Sequence, residues 1–165
     1  GRVRVTPETV DTGTLVREIV ELLAPAPEVT VTIAPEMPVV EAERVPLQQV
    51  FMNLVGNAIK YAGAVRADVE VRVGWAAVND GYEFTIADNG DGISPEYHDR
   101  IWGMFQTLQA RDKVEGTGIG LSVVKKIVET RGGSVWVKSE AGAGATFHFT
   151  WPIAPRGIPM IQEGQ

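Results

Sequence analysis

Two glycine clusters set the terms for this chain. DNGDGI occupies residues 88–93 and EGTGIGL residues 115–121, with a polar, charged connector between them that has no reason to form a long regular element. Ahead of the first cluster, residues 82–87 alternate, and Tyr82, Phe84 and Ile86 share one face of a strand by its two-residue period. Asp88 falls in phase with them, so its carboxylate is expected to point toward the apolar side. An unpartnered charge is costly there, and something must meet it. The glycines behind it let the backbone turn and let a ligand come close. The second cluster leads into a helical pattern ending near Arg131. Glycines that open a helix offer free N–H groups and the positive end of the helix dipole, a setting for phosphate. One end of the stretch therefore suits a polar ring and the other suits phosphates.

The length of 165 residues fits one domain with a real core, and 44% hydrophobic against 22% charged residues is an ordinary globular balance. A net charge of −6 argues against a general nucleic-acid or acidic-membrane binder. The chain has no cysteine, which removes disulfides and zinc–thiolate sites. No apolar run reaches the roughly 18 residues of a membrane helix, and no signal peptide is visible. The first residue is Gly1 and a strand-like RVRV follows, so the chain reads as a fragment of a longer protein.

In order, residues 2–5 alternate as a short strand. Residues 11–23 carry Leu15, Val16, Ile19, Val20, Leu22 and Leu23 at helical spacing, capped by Asp11 or Thr12 and ended by the turn Ala24-Pro25-Ala26-Pro27. Residues 29–33 and 39–42 read as strands. The helix from Pro46 to about Tyr61 is the second informative element. Leu47, Val50, Phe51, Leu54, Val55, Ala58 and Ile59 form its apolar face, while Gln49, Asn53, Asn57 and Lys60 form a stripe on another, with Asn57 at the border. A solvated stripe is usually built from Glu, Lys and Arg, and each asparagine costs roughly 0.5 kcal/mol of helix propensity against Ala. Amide oxygens with a lysine one turn on suit a hydrated Mg²⁺ beside a polyphosphate. Gly63 stops this helix. A strand over 69–78, the hairpin signal Asn79-Asp80-Gly81 and the strand into Asp88 follow. Ser94-Pro95-Glu96 reads as a helix start. Residues 101–105 form an aromatic cluster, either a small satellite core or a latch over the pocket. A helix over about 118–131 stops at Gly132-Gly133, and Val135 and Val137 lie on a strand. Gly142 and Gly144 turn the chain into a last strand over 145–151. Residues 1–154 read as one domain and 155–165, which lack periodicity, as a flexible tail.

Two common glycine-rich sites fail. A P-loop ends in Gly-Lys-Ser/Thr, and Gly120-Leu121-Ser122 has no lysine. A dinucleotide fold needs GxGxxG directly after a strand, and GTGIGL has another spacing and follows a charged segment. What is specific is the ordered set: an Asn-rich helix, an acid at a strand end with glycines, an aromatic cluster, and a second glycine cluster.

That set resembles the catalytic ATP-binding domain of sensor histidine kinases, within the wider ATPase group (GHKL) of gyrase, Hsp90 and MutL. NLVGNAIKY at 53–61 resembles the asparagine box, DNGDGI the first glycine box, residues 101–105 the phenylalanine box, and EGTGIGLSVVKKIVETRGGSVWVKS the second glycine box with its helix and strand; GATFHFTWP resembles the closing strand. The match runs through nearly all of the chain up to Pro152. It implies an α/β (α+β) two-layer sandwich, a mixed sheet of about five strands packed on three helices, with a mobile ATP lid. It also implies roles. Asp88 accepts from the adenine amine, Asn57 holds Mg²⁺, and Asn53 and Lys60 lie near the phosphates of ATP as the catalytic set with Asn57. Tyr61 and Ile93 line the base pocket behind Gly90 and Gly92. Gly116, Gly118 and Gly120, with Thr117, Ile119 and Leu121 between and after them, wrap the phosphates, and Arg111 or Lys113 reaches the terminal one. The partners implied are a dimerisation and phosphoacceptor domain bearing the histidine and a response-regulator receiver domain. Nucleic acid and direct membrane contact are not expected. A monomeric fragment in the cytoplasm is, whether or not its parent is anchored in a membrane.

The sequence departs from the family pattern in two places. Trp102, Gly103 and Met104 stand where Phe, an acid and Pro are common. In the ATPase relatives a water-activating glutamate sits four residues before the metal asparagine, and here that residue is Asn53, an amide that cannot act as a base. His98 and His148 lie outside any phosphoacceptor motif and read as surface or edge histidines. A true ATPase or a serine kinase of the same fold, and a non-catalytic nucleotide-binding module, are the competing readings.

Overall fold

The computed structural model describes residues 6–103, 120–139 and 141–154. Among these residues three α-helices and seven strands follow in the order β1 (Glu8–Asp11), α1 (Thr12–Leu23), β2 (Val29–Ile33), β3 (Val39–Ala42), α2 (Arg44–Gly63), β4 (Val69–Val78), β5 (Gly81–Asp88), α3 (Gly120–Arg131), β6 (Val135–Ser139) and β7 (Ala145–Pro152). Five strands form one mixed sheet in the order β2-β4-β5-β7-β6. Only β2 and β4 run parallel, because α2 lies between them in the chain and carries it back across the sheet. The remaining pairs are antiparallel.

Strand alternation decides which face the helices cover. Val69, Val71, Val73, Phe84, Ile86, Phe147, Phe149 and Trp151 are buried on one side, and Leu47, Val50, Phe51, Leu54, Val55 and Ala58 of α2 pack into the same core. At its centre the Phe51 ring meets Phe84 and Phe149 edge-on, each at 5.2 Å. Burying each such ring stabilises the fold by about 1.5–3 kcal/mol. The two-layer architecture and the five-stranded mixed sheet are those implied by the sequence. α1 starts where expected, with the Asp11 carboxylate accepting from the Thr14 amide at 3.1 Å.

Several expectations change. The strand expected at 2–5 lies outside the described residues. An unexpected one, β1, pairs with β3 in a separate two-stranded ladder, Val10 opposite Val40. Glu8–Asp11 has a single apolar residue, so local alternation cannot reveal it; its partner makes it a strand. α2 begins two residues before Pro46, which still sits in the first turn, where a missing N–H costs nothing. It ends at Gly63, past Tyr61. Ser94-Pro95-Glu96 opens a 3-10 turn, Pro95–Tyr97, followed by another, Arg100–Trp102, instead of a helix. Ile101 and Trp102 belong to the main core, not to a satellite, with Trp102 edge-on to Phe147 at 5.7 Å. Met104, Phe105 and the whole expected lid, Arg111 and Lys113 included, lie outside the described residues. His148 is no surface residue: it is 9% exposed on the sheet's other face, its Nδ1–H donates to Glu83 at 2.9 Å, and Trp136 stacks on it at 5.0 Å.

Candidate nucleotide site

The asparagines of α2 stand one turn apart on a single face. That face looks toward the start of α3. Asn53 Nδ2 donates to the Gly120 carbonyl at 3.3 Å, across 67 residues of sequence. A side-chain carbon on Gly120 would stand 3.8 Å from Asn53 Cγ and 3.8 Å from Asn57 Nδ2, so both amides and the glycine share one place. One of the two Asn53 amide hydrogens serves that carbonyl, and the amide oxygen is an acceptor for another partner. The first turn of α3 holds no acid that would compete with an anion for the helix start. Lys60 is exposed and Tyr61 half-buried on the next turn of α2. Leu121 is buried in the core. Gly116, Thr117, Gly118 and Ile119 lie outside the described residues.

Asp88 ends β5 opposite Val71 and Ala145. Its Oδ1 accepts from the Gly90 amide at 2.8 Å, so this oxygen already has a backbone donor. Gly90 lies flat against α2: a Cβ there would stand 3.1 Å from Asp88 Oδ1 and 3.2 Å from Ala62 Cα, closer than nearly all real contacts. The first glycine cluster therefore rests on the end of the helix that carries the asparagines. Gly92 follows with φ of 78°, a left-handed turn, and Ile93 returns to the core at 1% exposure.

Four residues that hold this cluster were given no such role from the sequence. The Asn89 side chain grips the edge of β4, accepting from the Glu70 amide and donating to the Asp68 carbonyl, both at 2.9 Å. Ser139 Oγ accepts from the Ile93 amide at 2.6 Å and donates to the Gly144 carbonyl at 2.8 Å. His98 donates from Nε2 to the Ile93 carbonyl at 2.8 Å, which assigns it a positioning task in place of a free surface. Gly144 (φ 80°) passes so close to Asp88 that a Cβ would stand 2.3 Å from the Asp88 carbonyl oxygen. The Gly142 amide also donates to the Asp91 carbonyl. Ser139 did carry a signal: it is a polar residue in phase with Val135 and Val137. Asn89 and Gly144 act through contacts far along the chain and His98 on a carbonyl five residues back, and none of the three leaves a local pattern.

Residues 42–155 match the family described as histidine kinase-, DNA gyrase B-, and HSP90-like ATPase, and the chain belongs to that family. Over 120 residues it is 42% identical to cyanobacterial phytochrome A of a Nostoc species, covering 73% of this chain and 15% of that protein. Over 124 residues it is 36% identical to the methanogenesis regulatory histidine kinase FilI of Methanothrix harundinacea, covering 75% of this chain and 14% of that protein. The chain thus spans about one seventh of these curated relatives. Among solved structures, full-length ShkA in complex with AMPPNP superposes with a TM-score of 0.74 at 28% identity, covering 97% of this chain and 34% of that one. Within the family the chain is a catalytic ATP-binding domain of the histidine kinase type, as the four boxes imply.

Proposed function

We propose that the chain binds Mg-ATP between α2, the Asp88 turn and the start of α3. In its parent protein it would pass the γ-phosphate to a histidine on a separate dimerisation domain, from which a response regulator takes it. The observation that carries this is the meeting of Asn53, Asn57 and Gly120 at one end of a helix whose last turn supports Gly90 and Asp88. Asp88, with Oδ1 on the Gly90 amide, would meet the adenine amine, with Ile93 and Tyr61 beside the base. Asn57 holds the metal, Asn53 and Lys60 face the phosphates, and the helix start at Gly120 faces their charge.

The donor set fits such a metal. Among the described residues no group of three or more His, Cys, Asp or Glu is placed to hold an ion. Mg²⁺ typically keeps several waters and takes few protein oxygens besides the phosphates of its nucleotide, so the Asn57 amide oxygen would suffice to hold it. When bound, the ion neutralises phosphate charge and orients the terminal group. The chain's own contribution is positioning, which is most of what phosphoryl transfer requires. A hydrolytic reading in the gyrase manner is disfavoured by Asn53, which cannot take a proton from water. Among the described residues no helix is long and apolar enough to cross a membrane. The reading places the domain in the cytoplasm, where ATP is available.

The test is calorimetric titration with ADP and a non-hydrolysable ATP analogue, with and without Mg²⁺, on the wild type and on Asp88→Asn. Removing the charge weakens the adenine contact by about 1.5–3 kcal/mol, roughly 10- to 150-fold in Kd. Failure of the folded wild type to bind adenine nucleotide overturns the assignment. Labelled phosphate appearing on a histidine of an added dimerisation domain supports the transfer, and steady-state hydrolysis lost in Asn57→Ala points to the ATPase reading.

A further inference from the structure

Ile93 is placed by side chains, not by secondary structure. It follows the left-handed turn at Gly92 and lies outside every helix and strand of the described residues, yet it is buried. Both of its backbone groups are taken. The amide donates to Ser139 Oγ at 2.6 Å, and the carbonyl accepts from His98 Nε2–H at 2.8 Å. In a strand or helix such bonds come from the backbone and survive a change of side chain. Here each depends on the identity of one residue, and a buried backbone group left unmet is costly. His98 acts from a fixed post. It sits between the 3-10 turns Pro95–Tyr97 and Arg100–Trp102, and Ile101 and Trp102 are packed in the core.

Ser139 reaches further than Ile93. Its hydroxyl gives its one hydrogen to the Gly144 carbonyl at 2.8 Å and a lone pair to the Ile93 amide, so a single oxygen joins the two segments. Gly144 in turn lies too close to the Asp88 carbonyl for any side chain to stand between them. The strand register agrees. Ala145 of β7 is opposite Asp88 of β5 on one side and Ser139 of β6 on the other. Residues directly opposite share a face. Asp88 and Ser139 therefore stand at the two ends of one rung on the face that the helices cover, with the small, buried Ala145 between them. A fixed spacing across this rung matters for telling one purine from another. Adenine offers an amine where guanine carries a carbonyl oxygen. A carboxylate held in place accepts from the first and meets the second acceptor to acceptor. A site built round a hydrogen bond rejects the base that lacks it only if its walls cannot give. A slack wall lets the wrong base slide, or lets in a water that bridges the two acceptors.

We propose that Ser139 and His98 are positioning residues for base selection. Acting on the two backbone groups of Ile93, they lock its spacing from Asp88 and so make the site choose adenine over guanine. This rests on the nucleotide reading given above and adds to it a selectivity device built outside both glycine clusters. Both residues act through Ile93, not on the base itself.

The test compares Kd for ADP and for GDP by calorimetry on the whole chain and on Ser139→Ala, His98→Phe and Val16→Ala. Val16 is fully buried on α1, which carries none of the site residues, so its truncation weakens the fold without touching Ile93. Each variant is measured where urea unfolding shows it folded. The wild type should prefer ADP by at least about 100-fold. In Ser139→Ala and in His98→Phe that preference should fall at least about tenfold, chiefly through weaker ADP binding, while Val16→Ala keeps it within about threefold. The two clamp variants read independently, so failure of one to fold leaves the other to decide. A preference unchanged in either folded clamp variant, or lowered as far by Val16→Ala, overturns the proposal, and the residue is then structural only. A wild type that binds ADP and GDP alike also overturns it. A folded wild type that binds no adenine nucleotide overturns the nucleotide reading itself, and this inference with it.

Discussion

The two sides of the candidate site are held in opposite ways. Around Asp88 the backbone is fixed by neighbours from all over the fold. Asn89 bonds the edge of β4, Ser139 bridges Ile93 to Gly144, His98 holds the Ile93 carbonyl, and Gly90 lies against Ala62. The asparagine side depends more on the helix itself, with the Asn53 amide on the Gly120 carbonyl as a cross-link. The difference teaches where shape is built in and where a ligand must complete it. A flat base needs a prepared slot. Phosphates and a hydrated ion carry enough charge to organise amides that a helix merely presents.

Stability and affinity should therefore separate on one side and move together on the other. The largest loss is expected for Gly144→Ala, where a left-handed φ and a clash with the Asp88 carbonyl combine. Urea unfolding should show a loss of about 2–4 kcal/mol, with nucleotide affinity falling alongside. Ser139→Ala strips a partner from both the Ile93 amide and the Gly144 carbonyl, and about 1–3 kcal/mol of stability should go with it. His98→Phe removes one bond and should cost about 1 kcal/mol, with a smaller drop in affinity. Asn57→Ala should leave stability within about 0.5 kcal/mol of wild type yet abolish the Mg²⁺ enhancement of ATP-analogue binding in calorimetry. If Asn57→Ala unfolds as readily as Ser139→Ala, the contrast fails, and the asparagine side is as firmly built as the other.

What the sequence showed, and what it hid, follows the same line. Asn53 and Asn57 were visible because helical spacing sets them apart from the apolar face, and Asp88 because it ends an alternating strand in phase with Phe84 and Ile86. Strands at 29–33, 39–42 and 69–78 appeared where alternation and turn residues agreed, and β2, β3 and β4 have those bounds. Asn89 and Gly144 were hidden because their work is done on partners remote in sequence, and His98 because nothing in the local pattern aims its ring at the Ile93 carbonyl five residues back. β1 was hidden because its strand character comes from Val39–Ala42. His148 misled in a similar way: alternation puts it opposite Phe147 and Phe149, but Trp136 and Glu83 bury it on that other face.

The sheet order has a consequence for how such a chain can vary. β5 and β7 are hydrogen-bonded neighbours, yet both glycine clusters, α3 and β6 lie between them in sequence. The piece between Gly103 and Gly120 begins beside Trp102, pinned on Phe147, and ends beside Leu121, buried in the same core. Both of its ends are thus anchored in one core, so a change of length between them need not disturb the sheet or the helices that carry the candidate site.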